Sequence, residues 1–219
     1  MSHASPEVLL LVSVGIAAVP LLIGVGSCYL KFSIVLSFLR SGFGTQQAPS
    51  SALVMGLSLI MSLVVMQPVL SKTTEAISEL QLHDLPSHPI QSLLKSGAGV
   101  AAPWKGFMLQ HCGDRELRVF SSLSDGSLGN DNVDGKQEDM PLVTVLAAFV
   151  LSEIKKGFTL AFLLLIPFFV IDIIVSNLLV AMGLTMMSPV VVSLPLKILL
   201  FISSDGWLLL SRSLIRAYQ

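Results

Sequence analysis

Four long apolar runs constrain the fold of this chain more than any other feature. They cover residues 8–30, 52–70, 158–182 and 190–210. A helix needs about 20 apolar residues to cross the hydrocarbon core of a bilayer. Of all residues, 53% are hydrophobic and only 12% are charged, whereas soluble domains carry about 25% charged residues. The sequence therefore predicts an all-α integral membrane protein.

Helix breakers arrange these runs into two helical hairpins. Gly42, Gly44 and Pro49 interrupt the connection between the first two runs, and Gly183 and Pro189 interrupt the connection between the last two. We therefore expect three consecutive parts: an N-terminal hairpin at 1–70, a polar insertion at 71–140 and a C-terminal hairpin at 141–219.

The insertion at 71–140 differs in composition from both hairpins. It contains ten acidic and six basic residues. The segments 71–82 and 104–123 are predicted to be helical, and the last section, SSLSDGSLGNDNVDGKQED, is predicted to be disordered. Because the insertion lacks the apolar residues for a large core of its own, we expect it to be exposed to water.

The distribution of basic residues gives a first expectation for orientation. Lys31 and Arg40 lie between the first two runs, which places that bend in the cytoplasm and the insertion in the periplasm by the positive-inside rule. The same multi-pass arrangement puts four other basic residues on the periplasmic side, against that rule: Lys155, Lys156, Arg212 and Arg216. Either the topology differs from four simple spans, or these hairpins do not insert as ordinary spans.

Three charged residues lie within the apolar C-terminal hairpin, namely Asp172, Lys197 and Asp205. An aspartate at the centre of an inserting helix costs about 2.5–3.5 kcal/mol, which the surrounding apolar residues can offset. One interpretation is that these charges form salt bridges that fix helix packing. The other is that they line a water-filled path. In both cases the charges should face protein or water, and not lipid.

The segment GLTMMSP forms the tip of the second hairpin. Gly183 and Pro189 interrupt the helices there, so we expect a non-helical turn. At membrane depth such backbone is tolerated only where it is buried in protein or lines a cavity. Met186 and Met187 are either flexible core filler or, in a ring of several copies, an apolar constriction of a pore. The pattern alone leaves both interpretations open.

Motifs for bond chemistry are missing from the sequence. It has no HExxH, no GxSxG, no Walker A loop and no paired-cysteine metal spacing. Asp172 and Asp205 also lack the Gly-x-Gly-Asp context of an intramembrane aspartyl dyad. The net charge of −1 provides no large basic field that would attract nucleic acid. We therefore expect no enzymatic activity, no cofactor or metal, and no nucleic-acid partner.

Five stretches resemble, in the same order, the motifs of one protein family: LKFSIVLSFLRSGFGTQQAPSS, AAFVLSEIKKGF, IPFFVIDIIVSNLL, MGLTMMSP and SLPLKILLFISSDGW. This family is the R subunit of the type III secretion export apparatus, whose flagellar counterpart is FliP. The resemblance covers both hairpins, about two thirds of the chain. The fragment GDRELRVF in the insertion is similar to the virulence-type members.

The resemblance implies a homopentamer in the bacterial inner membrane. In this family the R subunit joins the S and T subunits to form a helical, cone-like export gate, and we also expect the V and U subunits as partners. Such a gate passes unfolded secreted proteins through a central pore. In that family the complex is raised out of the bilayer plane, which would account for the failure of the four-span topology.

Pore-lining residues also follow from the resemblance. The family carries a methionine-rich gasket at the tip of this hairpin, and Met186 and Met187 match it. Leu184 and Thr185 occupy positions where other members often carry methionine. The resemblance thus implies a gasket with fewer methionines.

Charged residues of the hairpin receive a role in the same way. Glu153, Lys155 and Asp172 fall in the signature motifs. We interpret them, together with Lys197 and Asp205, as buried or inter-subunit charges.

Two other classes of function stay open from the residues alone. A small-solute or ion transporter would use Asp172 and Lys197 as a charge relay. A purely structural scaffold would need no pathway at all.

Overall fold

The computed structural model of the protein describes Ser13 and residues 24–44, 49–79, 89–124 and 140–218. These residues contain helices and turns but no strand, which confirms the predicted all-α fold class. In chain order the helices are α1 (Tyr29–Gly42), α2 (Ser51–Glu79), α3 (Pro89–His111), α4 (Asp114–Ser124), α5 (Leu142–Ala181), α6 (Pro189–Ser203) and α7 (Gly206–Arg216).

Two of these helices are long and apolar enough to cross a membrane. One candidate span is Ser51–Ala76 within α2, and the other is the 40-residue α5. Helices α6 and α7 make a third candidate only as a bent pair, because their axes differ by 62°. Most of the span predicted at 8–30 lies outside the described residues. The predicted class of a membrane protein with several apolar helices is confirmed for the described part of the chain.

The apolar run at 158–182 belongs to a longer helix than its composition indicated. Helix α5 begins at Leu142 and continues through the charged sequence SEIKK without a break. Glutamate and lysine have high helix propensity, so this sequence does not end a helix by itself. In addition, Glu153 is buried against Lys31 of α1, which stabilises a charge that would otherwise be isolated.

The prediction of one continuous arm at 190–210 is wrong, because this segment forms two helices, α6 and α7. The break lies at Asp205, which has a left-handed backbone with φ 49°. A side chain on the next residue, Gly206, would collide with the ring of Phe201. The Asp-Gly dipeptide is a turn signal, and it was present in the sequence within the motif SSDGW.

The boundary predicted at residue 70 lies inside α2. The composition becomes polar there, but the helix continues to Glu79, and hydroxyl groups of the polar segment donate to carbonyls of the preceding turn. Such bonds are made by Ser71, Thr73 and Thr74. The predicted helical segments of the insertion correspond to the end of α2 and to α3 and α4. Residues 125–139, predicted to be disordered, lie outside the described residues.

The chain forms two compact units that do not coincide with the three consecutive parts expected from composition. The first unit contains Met1–Leu30 and Met66–Ser152. Within it, Trp104 donates through Nε1 to the hydroxyl of Thr73 at 3.1 Å. The backbone N–H of Gly113 donates to the hydroxyl of Ser152 at 3.0 Å. These bonds tie α3 to α2 and the start of α4 to α5.

The second unit contains Lys31–Val65 and Glu153–Gln219. Here α1 lies parallel to α5, with the ring centroids of Phe38 and Phe158 5.2 Å apart. Farther along both helices, a Cβ added to Gly42 would lie 2.5 Å from Leu165. The absence of a side chain at Gly42 therefore permits this close approach of the two helices.

The second unit also contains the C-terminal hairpin. Helix α5 forms one arm, and α6 followed by α7 returns antiparallel to it. Each arm buries residues at helical spacing, which explains the packing. The buried stripe of α5 includes Ala161, Leu165, Phe168, Val175 and Leu179; that of α6 includes Ser193, Lys197 and Phe201; and that of α7 includes Gly206, Leu210 and Leu214.

Candidate functional site

The hairpin tip is a non-helical turn whose start is determined by Gly183. This residue has φ 72°, a conformation that glycine adopts without steric cost. The N–H of Gly183 donates to the carbonyl of Val180, and the N–H of Leu184 donates to the carbonyl of Leu179. These two bonds form a Schellman motif, which satisfies the last carbonyls of α5. The next helix begins at Pro189, where proline lacks an N–H that would be unpaired anyway.

Apolar side chains project from this turn into the surroundings. Met186 is 99% exposed, and Met187 and Leu184 are also exposed. Thr185 is exposed as well. In the single chain these residues therefore do not serve as core filler. Apolar side chains at such a tip can become buried only against lipid or against other protein chains.

Below the tip, a buried cation joins the two arms of the hairpin. The ammonium group of Lys197 on α6 lies 2.7 Å from Asp172 Oδ2 on α5. The same ammonium donates to the backbone carbonyl of Gly42 at 2.9 Å. The hydroxyl of Ser193 donates to Asp172 Oδ1 at 2.5 Å. The side chain of Lys197 is 2% exposed and that of Asp172 is 28% exposed.

Helix periodicity explains why these groups meet. Asp172 follows Phe168 by four residues and precedes Val175 by three, so it lies on the buried stripe of α5. Ser193 and Lys197 are four residues apart on the buried stripe of α6. Both oxygens of the carboxylate thus have a donor. The structure brings together the two charges that the sequence suggested as a pair, and it adds Ser193.

A second buried charge cluster lies around Glu153 of α5. Lys31 of α1 is 3.4 Å from Glu153 Oε2, and the two side chains are 2% and 0% exposed. The hydroxyl of Tyr218, just after α7, donates to the same oxygen. The ammonium of Lys31 also lies 3.8 Å from the centre of the Tyr218 ring, a cation–π contact. Phe32 packs edge-on against that ring.

The other oxygen of Glu153 is less well satisfied. Glu153 Oε1 is buried and makes no hydrogen bond, and the ammonium of Lys156 is 3.8 Å away. A buried carboxylate with one poorly satisfied oxygen depends strongly on the donors that remain. Lys31 and Tyr218 are therefore important for the position of Glu153.

Two of the predicted charges have a different environment. Lys155 and Asp205 are exposed in the single chain. They were expected to be buried or inter-subunit charges. Because neither is buried in the single chain, the inter-subunit role is the one that stays a prediction. Asp205 does not cap α7 with its side chain, although it directly precedes that helix.

Sequence reasoning missed Lys31, Ser193 and Tyr218. Lys31 was interpreted as a topological signal at the end of an apolar run, but it is buried and paired. Its position among apolar residues was a usable signal, because a charge in such a segment usually finds a partner. Tyr218 and Ser193 gave no comparable signal, since their contacts depend on how the hairpin closes. In the described part of the chain, no group of His, Cys, Asp or Glu could hold a metal ion.

Comparison with known proteins identifies the family to which these features belong. The sequence pattern of the FliP family matches residues 10–214. The chain is 37% identical over 203 residues to the "Surface presentation of antigens protein SpaP" of Shigella flexneri, covering 91% of this chain and 90% of that protein. It is 36% identical over 199 residues to the "Yop proteins translocation protein R" of Yersinia pestis, with the same shares covered. It is 34% identical over 195 residues to the "Flagellar biosynthetic protein FliP" of Bacillus subtilis, covering 88% of this chain and 82% of that protein. With a match over nearly its whole length, this chain belongs to the FliP family.

Proposed function

We propose that this protein is a core subunit of a type III secretion export apparatus and forms part of the gate through which unfolded proteins pass. The observation that carries the proposal is the family match over residues 10–214. Relatives that match nine tenths of the chain are named for the translocation of Yop proteins and the surface presentation of antigens. The two membrane-type helices support the same assignment.

Assembly into a homopentamer with S and T subunits is part of this proposal. Large apolar side chains are exposed along α5 and at the tip, including Phe162, Phe169, Ile173 and Met186. A soluble monomer rarely exposes so much contiguous apolar surface. Neighbouring subunits and lipid would cover it, and V and U subunits would complete the apparatus.

In this assembly, the hairpin tip forms the constriction of the pore. Met186, Met187, Leu184 and Thr185 are exposed on a non-helical turn. Around an axis, copies of this turn would place flexible thioether side chains next to one another. Such side chains can close against small ions and still deform around a polypeptide.

The Asp172–Lys197 pair supports a structural role, in which the charges hold the helices together, rather than a charge relay. Lys197 is almost fully buried and is held by a carboxylate and a backbone carbonyl. A relay would need its members to exchange partners with solvent or cargo. The alternative of a solute transporter based on Asp172 and Lys197 receives no support from the relatives.

Localisation in the bacterial inner membrane, with residues 71–140 facing the periplasm, completes the proposal. A role in virulence is also part of the proposal, and it agrees with the resemblance of GDRELRVF to virulence-type members of the family. The proposed gate performs no bond chemistry.

A deletion and co-purification experiment tests this function. The affinity-tagged protein should co-purify with the S and T subunits in detergent, and its deletion should abolish secretion. A protein that purifies as a small homo-oligomer without these subunits, in cells that still secrete, would contradict the proposal.

A further inference from the structure

An apolar groove lies between α5 and α7 in the second unit. Its volume is about 280 Å³, about twice that of an apolar cavity that holds one benzene molecule. Leu160, Leu163 and Pro167 line it from α5, and Leu209 and Ser213 line it from α7. Because Pro167 has no N–H, the carbonyl of Leu163 also loses its usual helical donor.

Basic residues continue the walls of this groove toward one end. On α5, Lys156 precedes Leu160 by four residues and Leu163 by seven, so it lies on the same stripe of the helix. On α7, Arg216 follows Leu209 by seven residues and Ser213 by three, which places it on the groove side of that helix.

The antiparallel hairpin brings these basic residues to the same end. Tyr218, two residues after Arg216, bonds to Glu153, three residues before Lys156. Arg212 lies one turn before Arg216 and is exposed, as is Arg216. The side chain of Lys156 is 43% exposed, and its ammonium lies 3.8 Å from Glu153 Oε1. An apolar groove thus ends at three cationic side chains.

We propose that this groove binds an anionic phospholipid of the membrane, with one acyl chain in the groove and the phosphate at Lys156, Arg212 and Arg216. Guanidinium groups bind phosphate oxygens in pairs, and lysine adds a point charge. The site also gives a role to three of the four basic residues that contradict a simple positive-inside topology. The inference requires residence in a membrane, and it does not depend on a pore at the hairpin tip.

Trp207 offers a local probe of this groove. Its ring packs edge-on against Phe201, which lines the groove, at a centroid distance of 5.2 Å. The chain contains only two tryptophans, so the Trp104→Phe protein reports from Trp207 alone. The full-length variant would be reconstituted into phosphatidylcholine vesicles. These would contain increasing mole fractions of phosphatidylglycerol or, in a parallel series, phosphatidylcholine with brominated acyl chains, which quench nearby tryptophans.

Brominated phosphatidylglycerol should quench Trp207 at about tenfold lower mole fraction than brominated phosphatidylcholine. The triple variant Lys156→Gln, Arg212→Gln, Arg216→Gln should lose this preference, and the charge-retaining variant Lys156→Arg, Arg212→Lys, Arg216→Lys should keep it. Filling the groove with Ser213→Phe should weaken quenching by both lipids. A matched control removes three exposed cations of the first unit, Lys72, Arg115 and Arg118, and should leave the preference unchanged.

Three results would overturn the proposal. Equal quenching by both lipids would mean that the groove does not select an anionic headgroup. A preference that survives in the Gln variant would place the headgroup elsewhere. No quenching by either lipid would indicate that a second copy of the chain covers the groove. Failure of co-purification with S and T subunits would affect the proposed function but not this result.

Discussion

The ammonium group of Lys197 lies 2.7 Å from Asp172 Oδ2 and is almost completely shielded from solvent. Through its second bond, to the carbonyl of Gly42, this one cation joins α1, α5 and α6. The interaction lies on α5 two to three turns before the exposed tip. We therefore expect this ion pair to determine the position and orientation of the tip.

Replacing Asp172 tests this relationship. Asp172→Ala leaves the buried charge of Lys197 without its partner, which should lower the free energy of unfolding by about 3–5 kcal/mol and reduce the yield of assembled complex. Asp172→Asn should be milder because an amide can still accept a bond from the ammonium. The double variant Asp172→Ala, Lys197→Met should recover stability relative to Asp172→Ala. Normal complex yield and secretion for Asp172→Ala alone would rule out this role.

Replacing Gly183 tests the backbone of the tip. Gly183→Ala should lower the stability of the purified protein in detergent by about 1–2 kcal/mol, because φ 72° is strained for alanine while no neighbouring atom obstructs the Cβ. Gly183→Asn should have a smaller effect. The control Gly56→Ala lies in α2 with equally open surroundings, and it should be neutral or stabilising. Equal effects at both glycines would show that the turn does not require the left-handed conformation.

The helices of the C-terminal hairpin and the turn at its tip were predictable because the sequence signals for them are local. Apolar runs, Gly183 and Pro189 determine where α5 ends and α6 begins, whatever the rest of the chain does. The Asp172–Lys197 pair was accessible for a related reason, since two opposite charges in one apolar hairpin limit each other's choice of partner.

Contacts between distant segments were not predictable in this way. Tyr218 and Glu153 are 65 residues apart, and their pairing depends on how far α7 returns along α5. The break at Asp205 and the continuity of α5 through SEIKK had local signals in the sequence, an Asp-Gly dipeptide and helix-forming residues, but packing contributes to both. In the first case Phe201 lies too close for a side chain at Gly206, and in the second a buried partner compensates the charge of Glu153.

Removal of one hydroxyl group tests the Glu153 cluster. Tyr218→Phe keeps the ring over Lys31 but removes a donor from a buried carboxylate, which should lower stability by about 1.5–3 kcal/mol. Tyr218→Leu should cost more because the ring contacts with Lys31 and Phe32 are also lost. Tyr29→Phe, at the only other tyrosine, is the control. Thermal unfolding in detergent would measure these differences, and an unchanged midpoint for Tyr218→Phe would mean that the bond contributes nothing.

Residues 125–139 should tolerate replacement. Their composition, with five acidic residues and no aromatic residue, cannot provide the apolar burial that compensates for ordering the chain. A Gly/Ser segment of equal length should give the same yield of complex after affinity purification. Loss of the complex would identify this segment as a docking element.

The methionines of the tip require a control before their role in the gate is tested. Met55 of α2 is also exposed, at 57%, but it lies within a regular helix. Met55→Ala should leave the permeability of the membrane unchanged. An increase with this variant would indicate that any loss of an exposed methionine disturbs the assembly.

The most direct test of the proposed gate is the leak of small ions across the membrane of cells that express the complete gate with Met186→Ala and Met187→Ala. Because the two thioether side chains are proposed to close the pore around its axis, the double variant should assemble normally and raise the ion permeability clearly above that of the wild type. An assembled double variant that is as impermeable as the wild type would contradict the claim that this tip forms the constriction of an export gate.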